Sequence, residues 1–198
     1  MLVTSSLPEW LYPAPAGGWT ADDLDRLPPE APRRVELIDG ALILMSPQTA
    51  FHMLMLRRLE NGIRPPRGLY VAREMSIRLG DRQRPEPDLM LVTSPPEDGL
   101  ERTCYEPGEV RLVVEIASPE SLIRDRAVKP AKYAEAGIRY MWRVEREDRG
   151  AVAYTYELDP AMRRYVATGI YRGRLTAGAG FPVDVDLAFR EPGGFPPG

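Results

Sequence analysis

The chain is short of the residues that build disulfides and soft-metal sites: among its 198 residues are one cysteine, Cys104, and one histidine, His52. A lone cysteine closes no intramolecular disulfide, which favours a reducing compartment. One cysteine and one histidine do not supply the ligands of a tetrahedral zinc site. Long apolar runs are lacking as well. No stretch approaches the roughly 20 residues that span a bilayer. The first fifteen residues carry Glu9 but no lysine or arginine, so they do not read as a signal peptide. A cytoplasmic protein without membrane contact is expected. Nor is there an excess of basic residues. The net charge of −3 counts against binding nucleic acid through overall charge, though not against a local basic face.

What is present is an ordinary globular mix, 43% hydrophobic and 28% charged, in a chain of one-domain length. Residues 1–32 read as a proline-punctuated arm, 33–190 as the domain, and 191–198 as a flexible Pro/Gly tail. Thr20 is placed to cap a short helix running to Leu27. Within the domain, 35–38 and 41–44 flank Asp39-Gly40, the strongest short-range signal for a hairpin. A helix is expected over 51–61, with Phe51, Leu54, Met55 and Leu59 on one face and Gly62 ending it. A single alternating strand is expected over 69–79, then strands at 88–92 and 111–117. A helix over 127–136 closed by Gly137 and strands at 138–144, 152–158 and 165–168 complete the pattern, with 181–185 as a further edge. This order predicts a mixed α/β (α+β) fold: a central mixed sheet flanked by helices and preceded by an N-terminal hairpin.

Two acids stand out because each sits in a segment that otherwise reads as buried. Asp88 follows Pro87 at the start of one strand. Glu115 interrupts the run Leu112-Val113-Val114-Glu115-Ile116-Ala117, sharing a face with Val113 and Ala117. The plain alternatives are a turn residue and a solvent-facing edge glutamate. Burying such acids is costly without a compensating cation or hydrogen bonds. Two carboxylates on neighbouring strands, with the Ile116 carbonyl, form an oxygen donor set suited to Mg²⁺ or Mn²⁺ and a hydrolytic water. No lysine follows on the Glu115 strand, which leaves Lys129 and Lys132 on the next helix. Pro130 directly after Lys129 biases that residue away from helix and predicts a helix start near 130. His52 is either a general base or a helix-face histidine bonded to backbone or to a neighbouring acid. Tyr133, one turn beyond Lys129, reads as packing or a phosphate contact. Arg124, Arg126, Lys129 and Lys132, joined by Arg57, Arg58, Arg64 and Arg67, read as a local basic cluster or as solvated helix faces.

Several motifs together resemble the PD-(D/E)XK nuclease superfamily and, more closely, the Uma-type restriction-endonuclease-like family once catalogued as a domain of unknown function. They are Val35-Glu36-Leu37-Ile38-Asp39-Gly40, Met45-Ser46-Pro47 with His52, Arg84-Pro85-Glu86-Pro87-Asp88-Leu89, Val114-Glu115-Ile116-Ala117-Ser118-Pro119, and Asp125 with Lys129, Tyr133, Ala136, Gly137 and Trp142. The resemblance covers 33–187. It implies a restriction-endonuclease-like core, a Mg²⁺ site at Asp88 and Glu115, a motif lysine moved to the helix at Lys129, where it would polarise the attack, and a family glutamate near the site at Glu36, where it would assist the metal or the water. It also implies DNA as substrate and a homodimer. The chain departs from the family at Arg139-Tyr140-Met141-Trp142, which lacks the usual acidic residue, and at Glu145, where aspartate is usual. The expectation is a metal-dependent endodeoxyribonuclease. The rivals are a nuclease fold kept as an inactive binding or regulatory module, and a self-associating scaffold in which the acids pair with arginines.

Overall fold

The computed structural model describes residues 8–11, 15–148, 150–176 and 179–189. The expected tail at 191–198 lies outside the described residues. Helix α1 spans Ala21–Leu24, shorter than the predicted run to Leu27. Thr20 and Asp23 form its capping box, with the Asp23 carboxylate accepting from both the backbone N–H and the hydroxyl of Thr20. This segment is tied to the domain, because Arg84 donates to the Ala21 carbonyl and to Asp25.

The hairpin forms as read: β1 (Val35–Ile38) pairs antiparallel with β2 (Ala41–Leu44). Asp39 and Gly40 take φ of 53° and 80°, the two left-handed positions that a type I′ turn demands. Helix α2 spans Ala50–Gly62 and is capped by Thr49, whose hydroxyl accepts from the His52 N–H. Its buried stripe is His52, Met55, Leu56 and Leu59. Leu54, predicted to face the core, is exposed.

The predicted strand over 69–79 breaks in two. Glu74 adopts φ 53°, and the chain turns from β3 (Tyr70–Arg73) to β4 (Ser76–Ile77). There follow β5 (Leu89–Val92), β6 (Cys104–Tyr105) and β7 (Val110–Ile116). Next come α3 (Lys129–Glu135), β8 (Tyr140–Glu147), β9 (Gly150–Asp159), β10 (Arg164–Arg172), β11 (Arg174–Leu175) and β12 (Val185–Asp186). The central sheet has the order β10-β9-β8-β7-β5-β3 and is mixed: β7 and β8 run parallel, bridged by the α3 crossover, and the other pairs are antiparallel.

The alternation of β7 sorts the two cores. Leu112, Val114 and Ile116 pack with α2, Trp142 and Val144. Val113 packs with Met90, Met141 and the α3 residue Tyr133. Among the described residues, no helix is long and apolar enough to cross a membrane.

The approach to α3 differs from expectation. Lys129 is fully helical, with φ −61° and ψ −42°, although Pro130 follows it. Residues 124–128 form a π turn, and the Lys129 N–H donates to the Arg124 carbonyl five residues back. Widening the turn moves the i−4 carbonyl that a proline ring would otherwise meet, so the helix runs through Pro130 rather than starting there.

Candidate active site

The site forms at the end of the central sheet where β5 begins and β7 ends. The β5–β7 register pairs Leu89 with Val114, so one further step sets Asp88 opposite Glu115. Both acids line one pocket of about 200 Å³, shared with Arg34, His52, Ile116, Arg124, Asp125 and Lys129.

Each carboxylate is held by named partners. Asp88 Oδ1 lies 2.8 Å from His52 Nε2, and Asp88 Oδ2 accepts from the Ile116 N–H at 2.6 Å. Glu115 Oε1 accepts from the Tyr133 hydroxyl at 2.6 Å, and Glu115 Oε2 lies 3.0 Å from Lys129 Nζ. Lys129 is 2% exposed. Its ammonium also lies 2.6 Å from Glu36 Oε1 and 3.6 Å from Asp125 Oδ1. Glu36, on β1, reaches the site because its Oε1 also accepts from the Glu86 N–H. The hairpin therefore docks on the segment that carries Asp88.

Lys132 goes elsewhere, to Asp39 at the hairpin turn, 2.6 Å away on the surface. The expected basic cluster likewise disperses. Arg126 pairs with Glu145, Arg58 donates to the Asp186 and Ala188 carbonyls, and Lys129 is interior. Arg124 remains at the pocket, its Nε buried without a hydrogen-bond partner among the described residues.

Negative charge exceeds positive around Lys129, and the protonation equilibria follow. Burial pushes the Glu115 carboxyl well up; Lys129 opposes this, and Asp125, Asp88 and Glu36 reinforce it. Burial likewise raises Asp125, against the pull of Lys129 and the Ser121 hydroxyl. For Lys129, burial disfavours the charge, but Glu115, Glu36 and Asp125 outweigh it and hold the ammonium well above the ordinary lysine range. Burial and the same acids raise the Tyr133 phenol, which stays a proton donor to Glu115.

Sequence reasoning assigned no role to Arg34 and Glu86. Arg34 bonds Glu86 at 2.6 Å and Glu74 at 3.0 Å, and its second terminal nitrogen, 3.9 Å from Asp88, is buried with no hydrogen-bond partner among the described residues. These contacts join residues 40 and 52 apart, which no local periodicity signals. Asp125, in the sequence only one mark of the family resemblance, is 1% exposed and part of the pocket.

Among the described residues, no three histidine, cysteine, aspartate or glutamate side chains stand ready as a metal cage. The donor chemistry still fits a hard divalent cation. Asp88 and Glu115 offer oxygen donors with lone pairs beyond their present bonds, and Mg²⁺ needs one or two carboxylates while keeping several waters. Glu36 Oε2 and Asp125 Oδ1 are buried with no hydrogen-bond partner among the described residues, so the surrounding acids are incompletely compensated by the groups around them.

No curated protein matches the chain. A crystal structure titled as a putative nuclease belonging to DUF820, from Anabaena variabilis, is similar at 19% identity with a TM-score of 0.50, over 71% of this chain and 80% of that one. At that identity the likeness speaks for the fold alone, a six-stranded mixed sheet. The family model described as "Uma2: Putative restriction endonuclease" matches residues 21–189, spanning the capping helix, both acids and Lys129, and the chain belongs to that family.

Proposed function

We propose that the protein is a divalent-metal-dependent endonuclease that hydrolyses DNA phosphodiester bonds in the cytoplasm, acting as a homodimer so that two sites meet two strands. The observation that carries this reading is the surplus of buried carboxylate around one ammonium, at a sheet end where Asp88 faces Glu115 across adjacent strands. Asp88, Glu115 and the Ile116 carbonyl would hold Mg²⁺ or Mn²⁺. When bound, the ion supplies Lewis acidity and a water of lowered pKa. His52 fixes Asp88 from one side, as Tyr133 fixes Glu115 from the other. Lys129 keeps its proton and offsets charge that develops on the phosphate oxygens. Glu36 and Asp125 hold that ammonium in place. Arg124 at the pocket is positioned to meet a phosphate oxygen.

The rival reading, a binding module without turnover, draws on one feature: all four oxygens of Asp88 and Glu115 already have protein partners. Nicking of supercoiled plasmid with Mg²⁺ or Mn²⁺ separates the two. Cleavage by the native chain and none by Asp88→Asn or Glu115→Gln, purified identically, supports the enzyme. Equal residual cleavage in all three marks a contaminant and removes the assignment.

A further inference from the structure

We infer that the groove between α3 and the β9–β10 hairpin is a second nucleic-acid contact, which holds the phosphate backbone at a distance from the acidic pocket. The identity of the ligand rests on the nuclease reading above, but the residues are separate from those of the reaction. The groove encloses about 420 Å³, with Arg126, Arg143, Arg163, Arg164, Tyr156 and Tyr165 among its walls. Glu135 lines it too, so in a chain of net charge −3 four arginines against one wall carboxylate make a local excess of positive charge. Glu145 neutralises part of it by accepting from Arg126 at 2.8 Å and from Arg143 at 2.6 Å. Arg163 and Arg164 are exposed and make no ion pair among the described residues, although Arg164 stands opposite Asp159 in the β9–β10 register.

Backbone strain points the same way. Arg163 sits at φ 50° at the hairpin tip, where glycine or asparagine would cost less. The aromatic wall is fixed in place. The Tyr165 hydroxyl donates to the Ile138 carbonyl at 2.7 Å, and the Tyr156 and Tyr165 rings lie 6.5 Å apart. The Arg143 guanidinium lies over Tyr154 at 4.6 Å and near Tyr156 at 5.6 Å. Arginines for phosphates beside aromatic faces for bases are the two components of a surface that grips nucleic acid without reading its sequence.

The register connects this groove to the acids. Glu115 pairs with Arg143 across β7 and β8, and Arg143 pairs with Tyr154 across β8 and β9. In-register neighbours share a sheet face, so the near edge of the groove at Arg143 lies one strand spacing, about 5 Å, from Glu115. Arg164, opposite Asp159 on β9, stands three strands across and five residues along from Glu115, about 20 Å, which is about six nucleotides of a strand that advances about 3.4 Å each. The segment 124–135 divides the two sites. Asp125 and Lys129 line the acidic pocket, whereas Arg126, Pro130 and Ala134 line the groove.

The test is binding of the full chain to labelled single- and double-stranded oligonucleotides in EDTA, across a salt series, beside Mg²⁺-dependent cleavage at saturating DNA. Arg163→Ala/Arg164→Ala is expected to weaken binding on the order of ten-fold at low salt. It should also flatten the slope of log affinity against log salt by about 1.4–1.8, the value for two lost phosphate contacts. Cleavage at saturation should be unchanged. Tyr156→Leu should weaken single-strand binding more than duplex binding. Unchanged affinity and slope in the arginine variant, or no binding by the native chain in EDTA at low salt, overturns the inference. Arginine-dependent binding with no cleavage under any divalent metal upholds the groove and removes the nuclease reading alone.

Discussion

Replacing Lys129 with methionine removes the positive charge while keeping most of the side-chain length. In the native protein the ammonium is 2% exposed and touches Glu36 at 2.6 Å and Glu115 at 3.0 Å, with Asp125 at 3.6 Å. Losing one partner of a buried pair leaves an uncompensated charge and costs about 3–5 kcal/mol. At about 2–4 °C per kcal/mol for a domain of this size, the melting temperature at pH 8 should fall by about 6–20 °C. Lys132→Met is the matched control. Its ion pair with Asp39 is a surface contact at the hairpin turn, a kind that contributes about 0–1 kcal/mol, so its melting temperature should move by no more than about 4 °C.

The loss in Lys129→Met should shrink on acidification. Glu115 and Asp125 already sit above the ordinary carboxylate range through burial, and removing the lysine raises them further. A carboxyl whose folded pKa exceeds its unfolded value binds more protons when folded. Between those two values stability therefore falls as pH rises and recovers as pH falls, by up to about 1.4 kcal/mol per pH unit for each extra proton. Calorimetric melting of both variants and the native protein between pH 8 and pH 5.5 checks this. The argument fails if Lys129→Met melts within 3 °C of native at pH 8 (about 1 kcal/mol), or if its deficit grows toward pH 5.5.

Three further outcomes are expected. Glu115→Gln should abolish metal-dependent plasmid nicking while leaving the melting temperature equal or raised, because it removes a buried carboxylate from an acid-rich cluster; a loss above about 2 kcal/mol would show that the ionised carboxylate was a net stabiliser. Gly62→Ala should cost about 1–3 kcal/mol in urea unfolding, since a methyl there would press into the Asp184 carbonyl and lie 2.6 Å from Val185 Cγ2; native stability would show that β12 gives way freely. Light scattering should find a dimer at high concentration, and a strict monomer with and without DNA would remove the two-site reading.

The elements legible in the sequence were those fixed by local rules. Asp39-Gly40 specified its turn because few residue pairs accept two left-handed positions. The alternation of β7 placed Glu115 on the face opposite Leu112 and Val114, since a strand has no other periodicity to offer. Where tertiary contacts decide, local reading slipped. The helix stripe was drawn through Leu54 rather than Leu56, both leucines of one turn, which differ only in which one meets the sheet. The strand over 69–79 alternated well enough to read as continuous. The left-handed Glu74 between its halves, and the Arg34–Glu74 contact formed 40 residues away, gave no local sign.

The proline at 130 shows why the fold and the candidate site have to be read together. A proline rule applied locally starts the helix at that residue and leaves Lys129 outside it. The π turn over Arg124–Val128 removes the conflict by shifting the hydrogen-bond register by one residue, and α3 continues from Lys129. Asp125, Lys129 and Tyr133 then follow at four-residue intervals. Lys129 and Tyr133 bond opposite oxygens of Glu115, and Asp125 stands near the ammonium. One position further on, Arg126, Pro130 and Ala134 line the arginine-rich groove. A helix started at Pro130 would give up this continuous run through Asp125 and Lys129. The irregular turn is therefore the local structure on which the geometry of both surfaces depends, and its clearest sequence signal is the Lys-Pro pair that reads at first as a helix boundary.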